Sequence, residues 1–442
     1  MMRILTLGII FFVLVASICV SQAVEPKLLW SYKPDASRYF ADVAVTADGE
    51  YVAAGSSGWD IDDVDKVYFF NREGKLLWNY KLSELCSCEH LSISADGEYI
   101  AASTAFRWSR RTHDDVYFFN RKGKLLWSHA IRHRRGTIGS SVVAVSADGE
   151  YVAVGNGNSN IAYPDDDPTI YFFSREGELL WSYKTYFGVY GVAISADGEY
   201  IVAGSGGRGT SDWMKQFEPI GNIYFFNRAG ELLWIYNNPD FAKYGFIEQI
   251  AISADGEYIA AGSEEGPKSK VYFLNRTGKL LWSYKMGGSV RSLSMSADGE
   301  YIAVGDSNEP HSKVYFLNRT GGLLWSSELF RRETDVSVSA DGEYIAAGRP
   351  SLNDNLYFFN RAGELLWSYE MEDYYKGISI SGDGKYVVTR YCDEVYFIDS
   401  GVITTPSPTS TPEHYEAIFA ISGLLTVAYL LLRRKRDRAK RG

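Results

Sequence analysis

Cys86, Cys88 and His90 stand at alternate positions in "CSCEH", which places all three on one side of an extended segment. Thiolate and imidazole ligands so arranged could begin a soft-metal site, although no complete ligand set is visible around them. The competing chemistry is a disulfide from Cys392 to Cys86 or Cys88, suited to an oxidising compartment. Two acidic runs, Asp60, Asp62, Asp63 and Asp65, and separately Asp165, Asp166 and Asp167, offer the oxygen ligands that calcium takes. Neither matches a full Asp-x-Asp-x-Asp-Gly loop with its distal Glu. The phrase "SADGEYIAAGS" (residues 253–263) sets two acids and a tyrosine around a glycine, and would suit an active site if it occurred once.

It occurs eight times in close copies, with aspartates at 48, 96, 148, 197, 255, 298, 341 and 383, spaced 42 to 58 residues apart. Eight identical catalytic centres are not a sensible reading, and Asp-Gly is instead a strong signal for a two-residue hairpin. Two further phrases alternate with it, "VYFFNREGK" and "LLWSYK", each also present eight times. Every unit therefore reads as four short strands: "VAVSA", "EYVAAG", "VYFFN" and "LLWSYK". One such sheet cannot bury both faces, so the sheets must stack around an axis, with the repeated Trp and Tyr-Phe-Phe residues between them. The expected fold is all-β, an eight-bladed β-propeller of four-stranded blades. The chain opens on a lone "LLWSYK" and its last unit lacks one, so the N-terminal strand is expected to complete the last blade and close the ring.

The ends are targeting segments. Residues 1–23 read as a signal peptide, with Arg3 before an apolar run, and residues 24–400 as the propeller. A Pro/Thr/Ser-rich stalk (401–414), an apolar helix (415–432) and a basic tail (433–442) follow. The helix is expected to meet the membrane, with the tail on the cytoplasmic side and the propeller at the cell surface. The net charge is −10, and removing the basic ends leaves about −17 for the middle, which argues against nucleic-acid binding.

"VYFFNREGKLLWSYK" resembles the tryptophan-bearing repeat of pyrroloquinoline-quinone-type propellers, and "VAVSADGEYVAAGS" is similar to the first hairpin of WD-repeat blades. The likeness covers roughly 27–401 and implies the fold; this architecture hosts enzymes and inert scaffolds alike. The segment "EAIFAISGLLTVAYLLLRRKR" resembles the PGF-CTERM sorting tails of archaeal surface proteins, in which the tail is removed and lipid attached. The Pro-Gly-Phe signature is replaced by Pro412-Glu413-His414-Tyr415, so removal and retention of the tail both stay open. Quinoprotein dehydrogenases, which the repeats also resemble, use adjacent cysteines, a catalytic Asp and calcium ligands around their cofactor. Here Ser87 separates Cys86 from Cys88 and no matching Asp can be placed, so no cofactor and no catalysis are expected.

In an up-and-down blade the short Asp-Gly and Arg-x-Gly turns share one face, and all length variation falls on the other. Per-repeat insertions commonly mark a binding face. Its long loops hold the three tryptophans outside the repeat, Trp59, Trp108 and Trp213, which would stack on sugars, anchor a partner protein, or cover their own loops. Arg107, Arg110 and Arg111 lie there too, with Arg132, Arg134 and Arg135 from the next connection. This basic run would hold an anionic glycan or an acidic neighbour, or stay solvated. Asn275 and Asn318, in "NRT", are glycosylation sequons on the short-turn face. The expected function is non-catalytic binding of an extracellular glycan, envelope component or surface protein. A structural envelope role and a quinoprotein-like oxidoreductase are the alternatives.

Overall fold

Valine, isoleucine and aromatic residues crowd the stretches between the turn phrases, and strands are what they form. The computed structural model describes residues 25–402 apart from 35–37, 59–63, 84–85, 107–112, 133–140, 158–168, 208–220, 238–244, 265–267, 309, 330–333, 349–353, 372–374 and 392. The expected signal peptide, the apolar helix at 415–432 and the basic tail lie outside the described residues. Among the described residues no helix is long and apolar enough to cross a membrane.

The described strands number 32 and begin with β1 (Lys27–Tyr32). Next come β2 (Arg38–Val45), β3 (Tyr51–Gly58), β4 (Lys66–Asn71) and β5 (Leu76–Lys81), then β6 (Cys86–Ile93), β7 (Tyr99–Phe106), β8 (His113–Asn120) and β9 (Leu125–Arg132). They are followed by β10 (Ser141–Val145), β11 (Tyr151–Asn156), β12 (Ile170–Ser174) and β13 (Leu179–Tyr183), and by β14 (Gly188–Ile194), β15 (Tyr200–Gly207), β16 (Asn222–Asn227) and β17 (Leu232–Asn237). Next are β18 (Gly245–Ile252), β19 (Tyr258–Ser263), β20 (Lys270–Asn275) and β21 (Leu280–Lys285), with β22 (Ser289–Met295), β23 (Tyr301–Ser307), β24 (Lys313–Asn318) and β25 (Leu323–Glu328). The last are β26 (Asp335–Val338), β27 (Tyr344–Gly348), β28 (Asp354–Asn360) and β29 (Leu365–Met371), then β30 (Tyr375–Ile380), β31 (Tyr386–Tyr391) and β32 (Glu394–Asp399).

Each run of four from β2 onward is an antiparallel sheet in chain order, and the last three strands take β1 as their fourth, paired with β32 from Lys27↔Asp399 to Tyr32↔Val395. One departure from the expected pattern is that β15 also pairs with β18 through Gly206↔Phe246 and Gly207↔Gly245, so two groups share one eight-stranded sheet. The first strands of successive sheets lie side by side from β2 to β30, and β30 in turn lies beside β2.

The turn phrase has a second job. Ala47 donates its N–H to the carbonyl of Ala95, Ala95 to Ala147, Ala147 to Ala196, Ala196 to Ala254, Ala254 to Ala297, Ala297 to Ala340, Ala340 to Gly382, and Gly382 back to Ala47, at 2.7 to 3.1 Å. These first strands are sheet edges, whose unpaired groups invite foreign strands; the turns at their ends satisfy one another instead. Within a turn, Ser253 Oγ donates to Asp255 Oδ1 (2.6 Å) and accepts the N–H of Tyr258 (3.0 Å), while Asp255 Oδ1 also accepts the N–H of Glu257 (3.0 Å). Burial works against the charge of Asp255, but the Ser253 and Glu257 bonds prevail and hold its carboxyl below the usual range. The connection spans Ser253 to Glu257, five residues with Gly256 at φ 70°, rather than the two-residue hairpin that Asp-Gly alone suggests, because the serine extends the turn.

Between sheets the core is aromatic. Phe316, fully buried, stacks on Tyr301 (5.5 Å) and Trp325 (5.3 Å), and Trp325 sends its indole N–H to the carbonyl of Arg361 on the following sheet (3.0 Å). Burial of each such phenylalanine contributes about 1.5–3 kcal/mol. Equivalent indole bonds run from Trp30 to Arg72 (2.9 Å) and from Trp367 to Ser400 (2.9 Å), so the sheet containing both ends of the folded unit is fastened on its two sides. The described residues, which end at Val402, form one compact unit.

Candidate functional site

The short-turn face is occupied with holding the molecule together. Arg361 lies over the ring of Tyr301 (4.4 Å), pairs with Glu343 (2.9 Å) and donates to the carbonyl of Asp341 (2.6 Å). Arg72, Arg121, Arg175, Arg228, Arg276 and Arg319 likewise sit over the tyrosine of the preceding sheet. A groove of about 580 Å³ opens here between the sheets of β22–β25 and β26–β29, lined by Glu300, Tyr301, Asn318, Leu324, Trp325 and Arg361 among others. With Phe316 on one face and Arg361 on the other, Tyr301 offers no open ring for stacking. Seven identical arginines serving seven seams leave little to distinguish one ligand from another.

Variety appears at the opposite end of the first strands. Their pairing with the second strand slips by one residue between Phe40 and Asp42, Cys88 and His90, Val189 and Gly191, Ile247 and Gln249, and Val290 and Ser292. The extra residue of each bulge is Ala41, Glu89, Tyr190, Glu248 or Arg291, all partly exposed. Bulges re-aim side chains and recur beside functional sites. Here equivalent bulges on five first strands present four kinds of side chain, with glutamate at two of them. Arg291 is paired with Glu264 (3.0 Å), whose Oε2 is buried without a hydrogen-bond partner among the described residues. Ser87 donates to Glu89 (2.7 Å), and Tyr190 packs edge-on against Phe246 (5.1 Å).

The junction of β31 with β2 adds a buried charge. Position 390 corresponds to Gly55, Ser103, Gly155, Gly204, Gly262, Gly305 and Gly348 of the other repeats, yet it holds arginine. In the ordinary seam a small residue is needed: a Cβ on Gly262 would lie 2.3 Å from Val290 Cγ1. At the exceptional seam Gly377, at φ 86°, makes the space, and Arg390 donates to the carbonyl of Phe40. Asp42 accepts the N–H groups of Val43 (2.9 Å) and Leu91 (2.8 Å). Burial lifts its carboxyl above the usual range despite His90, those amide bonds and Arg390, while burial pushes Arg390 down against the pull of Asp42, Asp335 and Glu89.

With this geometry the chain can be compared with known proteins. The family described as "Outer membrane protein assembly factor BamB" matches residues 8–210 and 113–308, well over half of the chain. The chain belongs to this BamB family. A family of unknown function (DUF5711) matches residues 267–403, and residues 416–435 match the PGF-CTERM motif of surface-anchored archaeal proteins. No curated protein matches the sequence. Among solved structures, BamB from Moraxella catarrhalis superposes with a TM-score of 0.55 at 15% identity, covering 85% of this chain and all of that one. Sqt1 from Chaetomium thermophilum, bound to the N-terminus of the ribosomal protein L10, gives 0.63 at 16% identity with the same coverage. At such identities these structures share the propeller fold with this chain.

Most residues singled out in this BamB-family sequence fall outside the described residues: Trp59, Trp108 and Trp213; Arg107, Arg110, Arg111, Arg134 and Arg135; Asp60, Asp62, Asp63, Asp165, Asp166 and Asp167; and Cys392. Arg132 ends β9 and is exposed. Asp65 is 1% exposed and accepts from Ser56 Oγ (3.4 Å), with its carbonyl taking the N–H of Leu82 (2.8 Å), so it fastens the loop ends. Cys86 and Cys88 are buried and not bonded to each other, and burial pushes the Cys88 thiol far up. The bulge at Glu89 breaks the alternation that would group them with His90, and no cluster of three or more metal-ligating residues occurs among the described residues. The bulge residues and Arg390 escaped notice because each sits inside an ordinary-looking strand. Setting the eight repeats beneath one another would have exposed both columns.

Proposed function

We propose that this BamB-family chain is a surface-anchored, non-catalytic propeller of eight blades, its ring closed by β1. It binds a glycan or protein of the cell envelope at its loop-bearing face. Support for the ring comes from the alanine amide series that returns to Ala47 and from the pairing of β1 with β32. The observation that carries the binding reading is the contrast between the two ends of the first strands. One end repeats a single bonding scheme, whereas the other varies through Ala41, Glu89, Tyr190, Glu248 and Arg291. A scaffold without a ligand gives no reason for such variety at equivalent positions.

The test is a pull-down and glycan-array screen with the full chain. Arg291→Ala, Glu248→Gln, Trp59→Ala, Trp108→Ala and Trp213→Ala are compared with Arg361→Ala on the other face. Binding lost only with the first group supports the reading. Retention by all of them, with folding intact, points to the structural envelope role. Cofactor-dependent dye reduction by the purified chain would revive the oxidoreductase alternative.

A further inference from the structure

Six asparagines hold one place in the turn after a third strand: Asn71, Asn120, Asn227, Asn275, Asn318 and Asn360. In each, Oδ1 accepts the backbone N–H four residues on, at 2.8 to 3.0 Å, which explains asparagine at this position without any modification. The amide nitrogen is what differs. Asn227 and Asn360 donate Nδ2 to the carboxylates of Glu231 and Glu364, both at 2.7 Å. For Asn275 and Asn318 the residue four on is Lys279 or Gly322, which has no carboxylate to offer. Their Oδ1 atoms instead take an extra bond from a hydroxyl two residues on, Thr277 (2.8 Å) and Thr320 (2.7 Å). Both threonines are exposed, and both asparagines keep part of their surface open.

We infer that Asn275 and Asn318 carry N-linked glycans, and that release of Nδ2 by the residue four on decides which turns of this repeat accept one. The donor is an oligosaccharide linked through phosphate to a membrane lipid. Nδ2 attacks its anomeric carbon, a C–N bond forms, and the C–O bond to phosphate breaks with its electron pair leaving on the phosphate. Nδ2 gives up one proton, which the departing phosphate takes up. Acceptance requires Asn-x-Ser/Thr in an exposed segment of an exported protein, and both turns meet it. Asn318 also lines the groove beside Leu324, so its glycan stands at the groove mouth. This inference is independent of recognition at the loop-bearing face.

The experiment is glycopeptide mass spectrometry on the full chain recovered from its own host's membranes. Sugar is expected on the peptides of Asn275 and Asn318, lost in Thr277→Ala and Thr320→Ala although each asparagine remains. Glu73→Thr completes a sequon at Asn71, where Lys75 leaves Nδ2 open, and should gain sugar. Ala362→Thr completes one at Asn360, where Glu364 holds Nδ2, and should gain several-fold less until Glu364→Lys is added. Bare asparagines at 275 and 318 in folded, membrane-derived protein would overturn the inference. Equal occupancy of the engineered turns at 71 and 360 would overturn the role of Nδ2.

Discussion

At the seam between β19 and β22, Gly262 leaves room for Val290 in an apolar contact, next to the Arg291–Glu264 pair; at the seam between β31 and β2, Arg390 stands in the place of Gly262 and meets Phe40 and Asp42. An apolar contact is the more stabilising kind, since a buried charge recovers little beyond its desolvation cost. What the polar seam adds is identity. Sheets with nearly the same sequence could pack in many orders, and an unmatched Arg390 or Asp42 penalises the wrong neighbour. The difference teaches that a repeated protein needs at least one contact that is not repeated.

Arg390→Met should break the contrast most. Without its guanidinium the Phe40 carbonyl loses its donor and the half-buried Asp42 loses one of the two charged neighbours that favour its carboxylate, the other being His90; urea unfolding should show a loss of about 3 kcal/mol, partly recovered by adding Asp42→Asn. Gly262→Val tests the ordinary seam by overpacking it against Val290, with an expected loss of about 2 kcal/mol in the same assay. Gly377→Ala places a Cβ at positive φ and 3.1 Å from Arg390 Nε, and should lower the melting temperature by an amount equivalent to about 1 kcal/mol. Arg361→Ala removes a half-exposed ion pair and cation–π contact that recur at other seams, and should cost under about 1 kcal/mol.

The smallest effect concerns pH. Burial raises the Asp42 carboxyl above its unfolded value of 3.8, so the native state takes up this proton more readily than the unfolded chain. The group adds stability below 3.8 and loses it as pH rises through the folded value. Relative to Asp42→Asn, the wild type should therefore be more stable near about pH 4 than near about pH 7, as read by denaturation at both.

Strand content, turn aspartates and the aromatic filling were legible in the sequence because each obeys a local rule repeated many times. The pairing of β1 with β32 was legible from bookkeeping, since one fourth strand was missing at the end and one was spare at the start. The bulges at Glu89 and Arg291 were not, because periodicity-two patterns carry no mark where one residue is inserted. Arg390 was passed over for a different reason: an arginine in "VVTRY" reads as a strand end exposed to water until Gly377 is seen to shelter it.

The pairing of β1 with β32 also sets a timetable. The first strand of the folded unit leaves the ribosome near the start of synthesis, and its partner arrives last. Bringing together groups as distant as Phe40 and Arg390, 350 positions apart, costs about 5 kcal/mol of chain entropy if nothing between them has formed. Once the intervening sheets have stacked, the same meeting costs far less. Until then Lys27–Tyr32 waits as an open strand outside the growing stack, with its backbone groups bare to any neighbour. A chain halted shortly before Glu394 would keep nearly every sheet and still lack the strand to which its beginning binds.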